Sequence, residues 1–341
     1  MSKPQVAVVI LNWNGKVFLE KFLPDVIKHS SKEADVYIAD NASTDDSVAF
    51  LEKNFPDIKI IKMESNTGYA GGYNNALKEI TADYYILLNS DILVTENWIS
   101  PIIELMESDK SIAACQPKLL DYYKRDHFEY AGAAGGFIDF LGYPFCRGRI
   151  MNTLEKDNGQ YDDITEIFWA TGACMFIKAE NFFEVKGFDE DFFAHMEEID
   201  LCWRLKRSRK KIMYCGKSAV YHVGGGTLPK NNPRKTYFNF RNNLFLLSKN
   251  LKHRQLLFVL LLRACLDRLA AISFFLKGNY KDWFAVYKAW AVFKLNFLKM
   301  RKKAKLIEKR KVNCIYKGSI VFDKMVLGKK EFKNLKFKKK D

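Results

Sequence analysis

Tyr84-Tyr85-Ile86-Leu87-Leu88-Asn89-Ser90-Asp91 is the stretch that decides the fold. A short unbroken apolar run that stops on polar residues suits a strand buried on both faces, as the central strands of parallel sheets are. Upstream, three further apolar runs, Val6 to Leu11, Val36 to Ala39 and Ile58 to Ile61, alternate with amphipathic stretches at Val17 to His29, Asp45 to Asn54 and Ala70 to Ile80. Asn97 to Glu107 continues the pattern as a helix. The alternation predicts an α/β fold, a mixed and mostly parallel sheet flanked by helices. Each strand ends on polar or glycine residues: Asn12-Trp13-Asn14, Asp40-Asn41, Asn66-Thr67-Gly68 and Asn89-Ser90-Asp91. Ligands of open α/β sheets bind outside the carboxyl ends of strands, so these tips are expected to share one crevice.

The rest of the chain divides by charge. Of its 341 residues, the first 250 carry 30 Lys and Arg against 34 Asp and Glu, whereas residues 251 to 341 carry 25 against 6. A uniformly basic protein is excluded, and a basic tail that meets an anionic surface is expected. Division into a domain over 1–250 and a helical, basic extension over 251–341 results. Leu256 to Leu276 is the most apolar stretch, but Arg263, Asp267 and Arg268 interrupt it, so an interfacial or packed helix is expected and not a spanning one. Trp283 to Met300 continues the aromatic and basic mixture up to the Lys-rich stretch 299–311, a pattern that suits peripheral attachment to a membrane as well as packing on the main domain. Seven scattered cysteines without CxxC spacing, and a first strand that comes directly after Met1 to Gln5, point to the cytoplasm.

Between Asp121 and Asp163 the sequence is rich in Gly and aromatics and weakly periodic, which predicts loops and short strands. Its run Ala131-Gly132-Ala133-Ala134-Gly135-Gly136 would let backbone approach a ligand, or serve as a plain loop. Regular structure is expected again at Ile167 to Ala170, Ala173 to Ile177, a helix near Ile199 to Arg209, and strands at Ile212 to Tyr214 and Ala219 to His222.

Asp40 opens Asp40-Asn41-Ala42-Ser43-Thr44, where the acid suits a ribose or base and Thr44 suits a helix cap. Asn66, Gly68, Gly72 and Asn75 place amides and small residues where a loop enters a helix, as anion binding requires, without forming a Walker A or GxGxxG motif. Asp91 is a hard-oxygen ligand suited to Mg2+ or Mn2+, and equally a helix cap. Glu197-Glu198-Ile199-Asp200 stands at a helix start, where acids are favoured by the helix dipole or, behind an apolar wall, serve as a general base. His222 ends a strand before Gly224-Gly225-Gly226-Thr227; a lone histidine is more often structural, yet with Asp91 it makes a mixed N/O metal site.

This ordered set resembles the family 2 glycosyltransferases of the GT-A fold over about residues 5 to 250, and is especially similar to bacterial rhamnosyltransferase-like enzymes of surface polysaccharide synthesis. Those enzymes share a stretch like Tyr237-Phe238-Asn239-Phe240-Arg241-Asn242. The resemblance implies that Asn12, Asn14, Asp40, Asn41, Asn66, Gly68, Gly72, Asn75, Asn89 and Ser90 line the site of a UDP- or dTDP-sugar. It implies a metal on Asp91 and His222, and Glu198 as base, with Glu197 and Asp200 as further candidates. The chain departs from the family pattern twice. Asn89 stands for the first acid of the DxD motif, which leaves the metal to Asp91, His222 and the diphosphate, and Glu198 stands for an Asp. The reaction that the resemblance implies is an inverting transfer to a saccharide or lipid-linked saccharide on the cytoplasmic face of the inner membrane. Against it stands a non-catalytic nucleotide-sugar-binding scaffold. A nucleic-acid partner is not expected, because no RNA- or DNA-reading module accompanies the basic end.

Overall fold

The structure, a computed structural model, describes residues 3–224 and 232–337. The order of elements begins β1 (Val6–Asn12), α1 (Lys16–Ser30), β2 (Asp35–Asp40), α2 (Ser47–Asn54), β3 (Lys59–Lys62), α3 (Gly68–Ala76), β4 (Tyr84–Asn89), β5 (Ile92–Val94), α4 (Ser100–Ser108) and β6 (Ile112–Asp121). A group of short strands comes next: β7 (Gly136–Asp139), β8 (Pro144–Cys146), β9 (Arg149–Ile150) and β10 (Thr153–Leu154). Then come β11 (Ile164–Ile167), β12 (Cys174–Lys178), α5 (Ala179–Glu184), α6 (Glu197–Arg207) and β13 (Lys211–His222). The chain closes with α7 (Pro233–Asn250), α8 (His253–Leu276), α9 (Tyr280–Lys305), β14 (Ile315–Tyr316) and α10 (Ile320–Met325).

The main sheet runs β11-β13-β6-β12-β4-β1-β2-β3, with β5 added on β13. β3, β2, β1 and β4 are mutually parallel and β12 is antiparallel to β4, so the sheet is mixed. β4 is central, and its period-2 alternation divides it between two cores: Tyr85 and Leu87 enter one buried cluster, Tyr84, Ile86 and Leu88 the other. Ala7 and Val9 of β1 divide from Val6, Val8 and Ile10 in the same way. A strand buried on both faces needs apolar side chains at every position, which is why its sequence reads as one unbroken run.

Two expectations need correction here. The two strands expected at Ile212 to Tyr214 and Ala219 to His222 are one, β13, whose register on β6 shifts between Cys215 and Ala219. A bulge inserts residues without ending a strand, so a break in periodicity looks like a loop in sequence. The glycines at 132 to 136 serve protein packing and not a ligand: a Cβ on Gly136 would stand 2.1 Å from Trp169 Cε2.

The boundary expected at residue 250 does not separate two cores. Leu256, Val259, Phe293, Met300 and Tyr316 belong to the buried cluster that holds Leu87 and Ile177. β14 pairs with β7, and Lys303 reaches Asp191 at 2.6 Å. Two of the three charges that interrupt α8 turn inward while Arg268 stays exposed: Arg263 and Asp267 are 2% and 1% exposed, and Asp267 accepts from Trp290 Nε1 at 3.0 Å and Tyr143 OH at 3.2 Å. Leu257, Phe258, Leu261, Leu269, Ile272 and Phe275, spaced mostly three and four apart, face out. Among the described residues no helix is long and apolar enough to cross a membrane.

Candidate functional site

The tips of β1, β2 and β4 meet as expected, and their polar residues are largely occupied with one another. Asn12 Nδ2 donates to Asp40 Oδ1 at 3.0 Å and to Ser43 Oγ at 3.1 Å, and Asp40 Oδ2 accepts from Ser43 N at 3.0 Å. Asn14 accepts from Thr44 N at 2.7 Å and Asp45 N at 3.2 Å, so Thr44 is stapled to the first strand loop and does not cap α2; Asp45 Oδ1 takes Ser47 N at 3.0 Å. Asn41 donates to Asn66 Oδ1 (3.1 Å) and Gly68 O (3.0 Å) and accepts from Thr67 N (3.1 Å). These bonds hold three loops in one preformed surface, which lowers the entropy cost of closing on a ligand. Gly68 is required there, because its φ is +74° and a Cβ would meet Phe193 O at 2.4 Å. Gly72 is buried against Leu11 and Asn41, Asn89 and Ser90 are half-buried at the tip of β4, and Asn75 is exposed. The amide that does bind inward is Asn74, whose Nδ2 donates to Phe188 O at 2.9 Å.

Asp91 and His222 are brought together by strand pairing. β5 runs antiparallel to the end of β13 with Ile92 opposite His222, and Val223 N donates to Asp91 O at 3.1 Å. His222 Nε2 then lies 3.1 Å from Asp91 Oδ1. Its other ring nitrogen is 3.3 Å from Glu129 Oε2, without hydrogen-bond alignment. Glu129 is 4% exposed and is held by Ala131 N at 2.5 Å. Burial opposes charge on both His222 and Asp91, but Glu129 and Asp91 prevail at the imidazole, which is pushed up to about 10. For Asp91, burial is outweighed by the histidine's charge and hydrogen bond, and the carboxyl is held below its ordinary range.

These residues fit a divalent ion. Two adjacent ligands of an octahedral ion with bonds of about 2.1 Å stand roughly 3 Å apart, as Asp91 and His222 do. A ligating histidine commonly presents its other nitrogen to a carboxylate, the place Glu129 takes. Among the described residues no three acidic, His or Cys side chains form a closed cage, so remaining positions would fall to phosphate oxygens and water.

Glu197 and Glu198 open α6, two residues earlier than the expected helix start. Glu197 is buried and Glu198 half-buried, and the Oε2 atom of each is shielded from water without a hydrogen-bond partner among the described residues. Burial pushes the Glu198 carboxyl up to about 7, and burial together with the charge of Glu198 raises Glu197 well above the carboxylate range. The pair therefore holds a proton near neutral pH. Asp200 has a different part. Fully buried, it is gripped by Lys249 Nζ at 2.7 Å, Arg204 Nε at 2.8 Å and Asn250 Nδ2 at 3.0 Å. Burial alone would raise its pKa, but Lys249 and Arg204 lower it, so Asp200 anchors the helix and is not a base.

The loop before Glu197 carries three left-handed residues, Phe193 (φ 64°), His195 (φ 71°) and Met196 (φ 72°). Such backbone persists only when its surroundings impose it. Asn242 of α7 imposes it here, with Nδ2 at 2.9, 2.8 and 2.7 Å from the carbonyls of Phe192, Ala194 and His195. Arg241 Nη2 adds Asp191 O and Phe192 O at 3.0 and 2.9 Å. The Tyr237 to Asn242 stretch was visible in the sequence, but not its task. Asn242→Ala is expected to lower turnover about 10²-fold through misplacement of the acid pair, for a stability loss of about 1–3 kcal/mol. Steady-state kinetics beside urea unfolding would check this; wild-type turnover in the folded variant would show that the loop holds without the amide.

Glu129 is the site residue that sequence reasoning missed. It lies in the weakly periodic segment, where nothing in the local pattern marks it.

A mixed, mostly parallel sheet whose strand tips carry amides and acids gives the chain the GT-A fold. The model described as Glycosyl transferase family 2 matches residues 7–178, and the chain belongs to that family. It is 24% identical over 233 residues to an N-acetylglucosaminyl-diphospho-decaprenol L-rhamnosyltransferase of Mycobacterium tuberculosis, covering 63% of this chain and 75% of that protein. Its fold is similar to a mannosyltransferase from Pyrobaculum calidifontis in complex with GDP-Man and Mn2+, with a TM-score of 0.52 and 13% identity over 89% of this chain and 88% of that one. GalNAc-T7 with UDP, GalNAc and Mn2+ is similar at a TM-score of 0.54 and 17% identity, over 64% of this chain and 43% of that one.

Proposed function

We propose that this glycosyltransferase moves a sugar, with inversion, from a UDP- or dTDP-sugar to a lipid-linked saccharide acceptor at an anionic membrane surface. The observation that carries the reading is the buried acid pair Glu197 and Glu198, one member of which is raised to about 7 and half-accessible, in a chain whose strand tips form a preformed polar crevice. Ionised Glu198 takes the proton of the acceptor hydroxyl as its oxygen bonds to the anomeric carbon, and the bond from that carbon to the diphosphate oxygen breaks. Glu197, kept neutral by burial and by its neighbour, leaves the negative charge of the pair on Glu198. Asp91 and His222 would hold Mg2+ or Mn2+, with Glu129 orienting the imidazole. When bound, such an ion offsets charge on the departing nucleoside diphosphate. Asp40, Asn41, Asn66 and the Gly68 backbone frame the nucleotide crevice.

A panel of UDP- and dTDP-sugars, read as released nucleotide with and without Mn2+, tests this reading. No release from any donor, with an isoprenyl-diphosphate saccharide present, would favour the non-catalytic scaffold. Glu129→Gln is expected to weaken Mn2+ affinity about 10- to 100-fold, which Mn2+ titration followed by electron paramagnetic resonance would detect without any turnover. Unchanged affinity would remove Glu129 from the metal site.

The outward apolar face of α8 and the basic α9 support peripheral attachment to a membrane. Leu257, Phe258, Leu261 and Leu269 are each more than half exposed, as are Leu295 and Leu298 of α9. Binding to vesicles with anionic phospholipid should weaken sharply as salt rises, since screening shortens the reach of the lysines. Equal sedimentation with neutral and anionic vesicles would contradict it.

A further inference from the structure

An apolar groove of about 520 Å3 lies between the amino ends of α7 and α9, lined by Tyr237, Tyr280 and Phe284 and bordered by Arg234, Lys281 and Lys288. We propose that it seats the isoprenyl diphosphate of the acceptor, the first isoprene units against the aromatic wall and the diphosphate against the three cations. The proposal rests on the reading of the acceptor as lipid-linked, and adds where and by which groups that lipid is held.

Four observations point to this occupant. First, the groove is of ligand size and joins an apolar wall to a charged rim, as an amphiphile with an anionic head requires. Among the described residues, none of the three cations lies within ion-pair distance of a carboxylate. Arg234 stacks over the Phe193 and Phe238 rings at 5.6 Å, and Lys288 over Tyr237 at 5.2 Å. The acid nearby, Asp282, accepts from Thr236 Oγ1 at 2.5 Å.

Second, the amino ends of two helices of 18 and 26 residues converge there, and each adds positive potential suited to phosphate. Third, the groove continues into the outward apolar face. Phe275 packs on Tyr280 at 5.3 Å and on Trp283 at 5.8 Å, and Trp283 on Tyr287 at 5.4 Å. An isoprenoid chain in a bilayer beneath α8 would reach the groove without crossing water. Fourth, the groove adjoins the loop of the acid pair. Phe238, beside Tyr237, stacks on Phe193 at 5.6 Å, and Phe193 precedes Glu198 by five residues, at most about 18 Å of extended chain. A saccharide on the diphosphate would extend toward Glu198.

The test uses the full chain without divalent metal and measures affinity for farnesyl diphosphate, with inorganic pyrophosphate and anionic-phospholipid vesicles as comparison probes. Lys281→Glu with Lys288→Glu changes exposed residues and should fold; it is expected to cost about 10- to 100-fold in farnesyl diphosphate affinity. Phe284→Ala should weaken farnesyl diphosphate and leave pyrophosphate unchanged. The proposal is overturned if the double variant binds farnesyl diphosphate as the wild type does, if pyrophosphate binds as tightly as farnesyl diphosphate, or if only vesicle binding falls. Failure of the donor panel with farnesyl diphosphate binding intact would instead count against the transferase reading and leave the groove standing.

Discussion

Glu198→Gln is expected to lower kcat by about 10²- to 10⁴-fold and to leave affinity for the nucleoside diphosphate close to that of the wild type. Glutamine keeps the size of the side chain and its place in the first turn of α6, but has no basic oxygen to take the acceptor proton. The loop before α6 keeps its hydrogen bonds from Asn242 and Arg241, none of which involves the Glu198 side chain. The pH profile separates this role from a structural one. A base must be ionised, and burial has pushed Glu198 up to about 7, so turnover of the wild type should rise with pH through that region and level above it. In Glu198→Gln the residual rate should lose that rise. The carboxyl has the opposite effect on stability: a folded-state pKa above the unfolded one stabilises the fold at low pH, and the contribution fades as pH rises from the ordinary glutamate range through about 7. Kinetics and calorimetric scans from about pH 5 to 9 would show both trends. Wild-type turnover in Glu198→Gln would shift the role to Glu197, and a donor affinity that fell in step with kcat would mean that the substitution had collapsed the site.

Much of this arrangement was legible in the chain because two simple rules act together. β4 must be apolar at every position since both its faces are covered, and its tip must become polar where the sheet ends, so Tyr84 to Asp91 reads as strand and site at once. The same holds for Asn12 at the end of β1 and for Asp40 at the buried end of β2, whereas β3, at the sheet edge, is only partly covered. Less legible were residues whose place is set by long-range pairing. Glu129 reaches His222 because a single bridge, Leu120 to Phe128, folds its segment back along β6 while β13 lies on the other side of that strand. Neither contact leaves a periodic mark near residue 129. Asp200 looked like a third acid of a catalytic group because Lys249, its partner, is far along the chain. The charges of α8 were legible as a bar to spanning a membrane, but not their direction: Arg263 and Asp267 pair with each other in the interior while large apolar side chains face out, the reverse of an ordinary amphipathic helix.

Asp91→Ala should abolish the metal-dependent part of nucleotide binding, and it is the sharper test of the strand-tip site because Asn89 offers no second carboxylate to take over. With an acid at both positions, loss of one could be absorbed by the other. Here the neutral Asn89 leaves Asp91 as the sole anionic contribution of the Asn89-Ser90-Asp91 tip. His222 cannot compensate. Without Asp91 the imidazole, still backed by Glu129 at 3.3 Å, is a single neutral ligand and supplies no negative charge to hold a hard divalent ion. Calorimetry of UDP and dTDP, each with and without Mn2+, is expected to show a large metal-dependent gain in affinity for the wild type and none for Asp91→Ala. Metal-free binding, for which Asp40 and Asn41 are the proposed contacts, should stay within about twofold because those loops are tied to one another and not to Asp91. His222→Ala should give an intermediate loss, since a neutral ligand contributes less than an anionic one to holding Mg2+ or Mn2+. A Mn2+-dependent gain that survived in Asp91→Ala would place the ion elsewhere and return Asp91 to the role of a structural partner for His222.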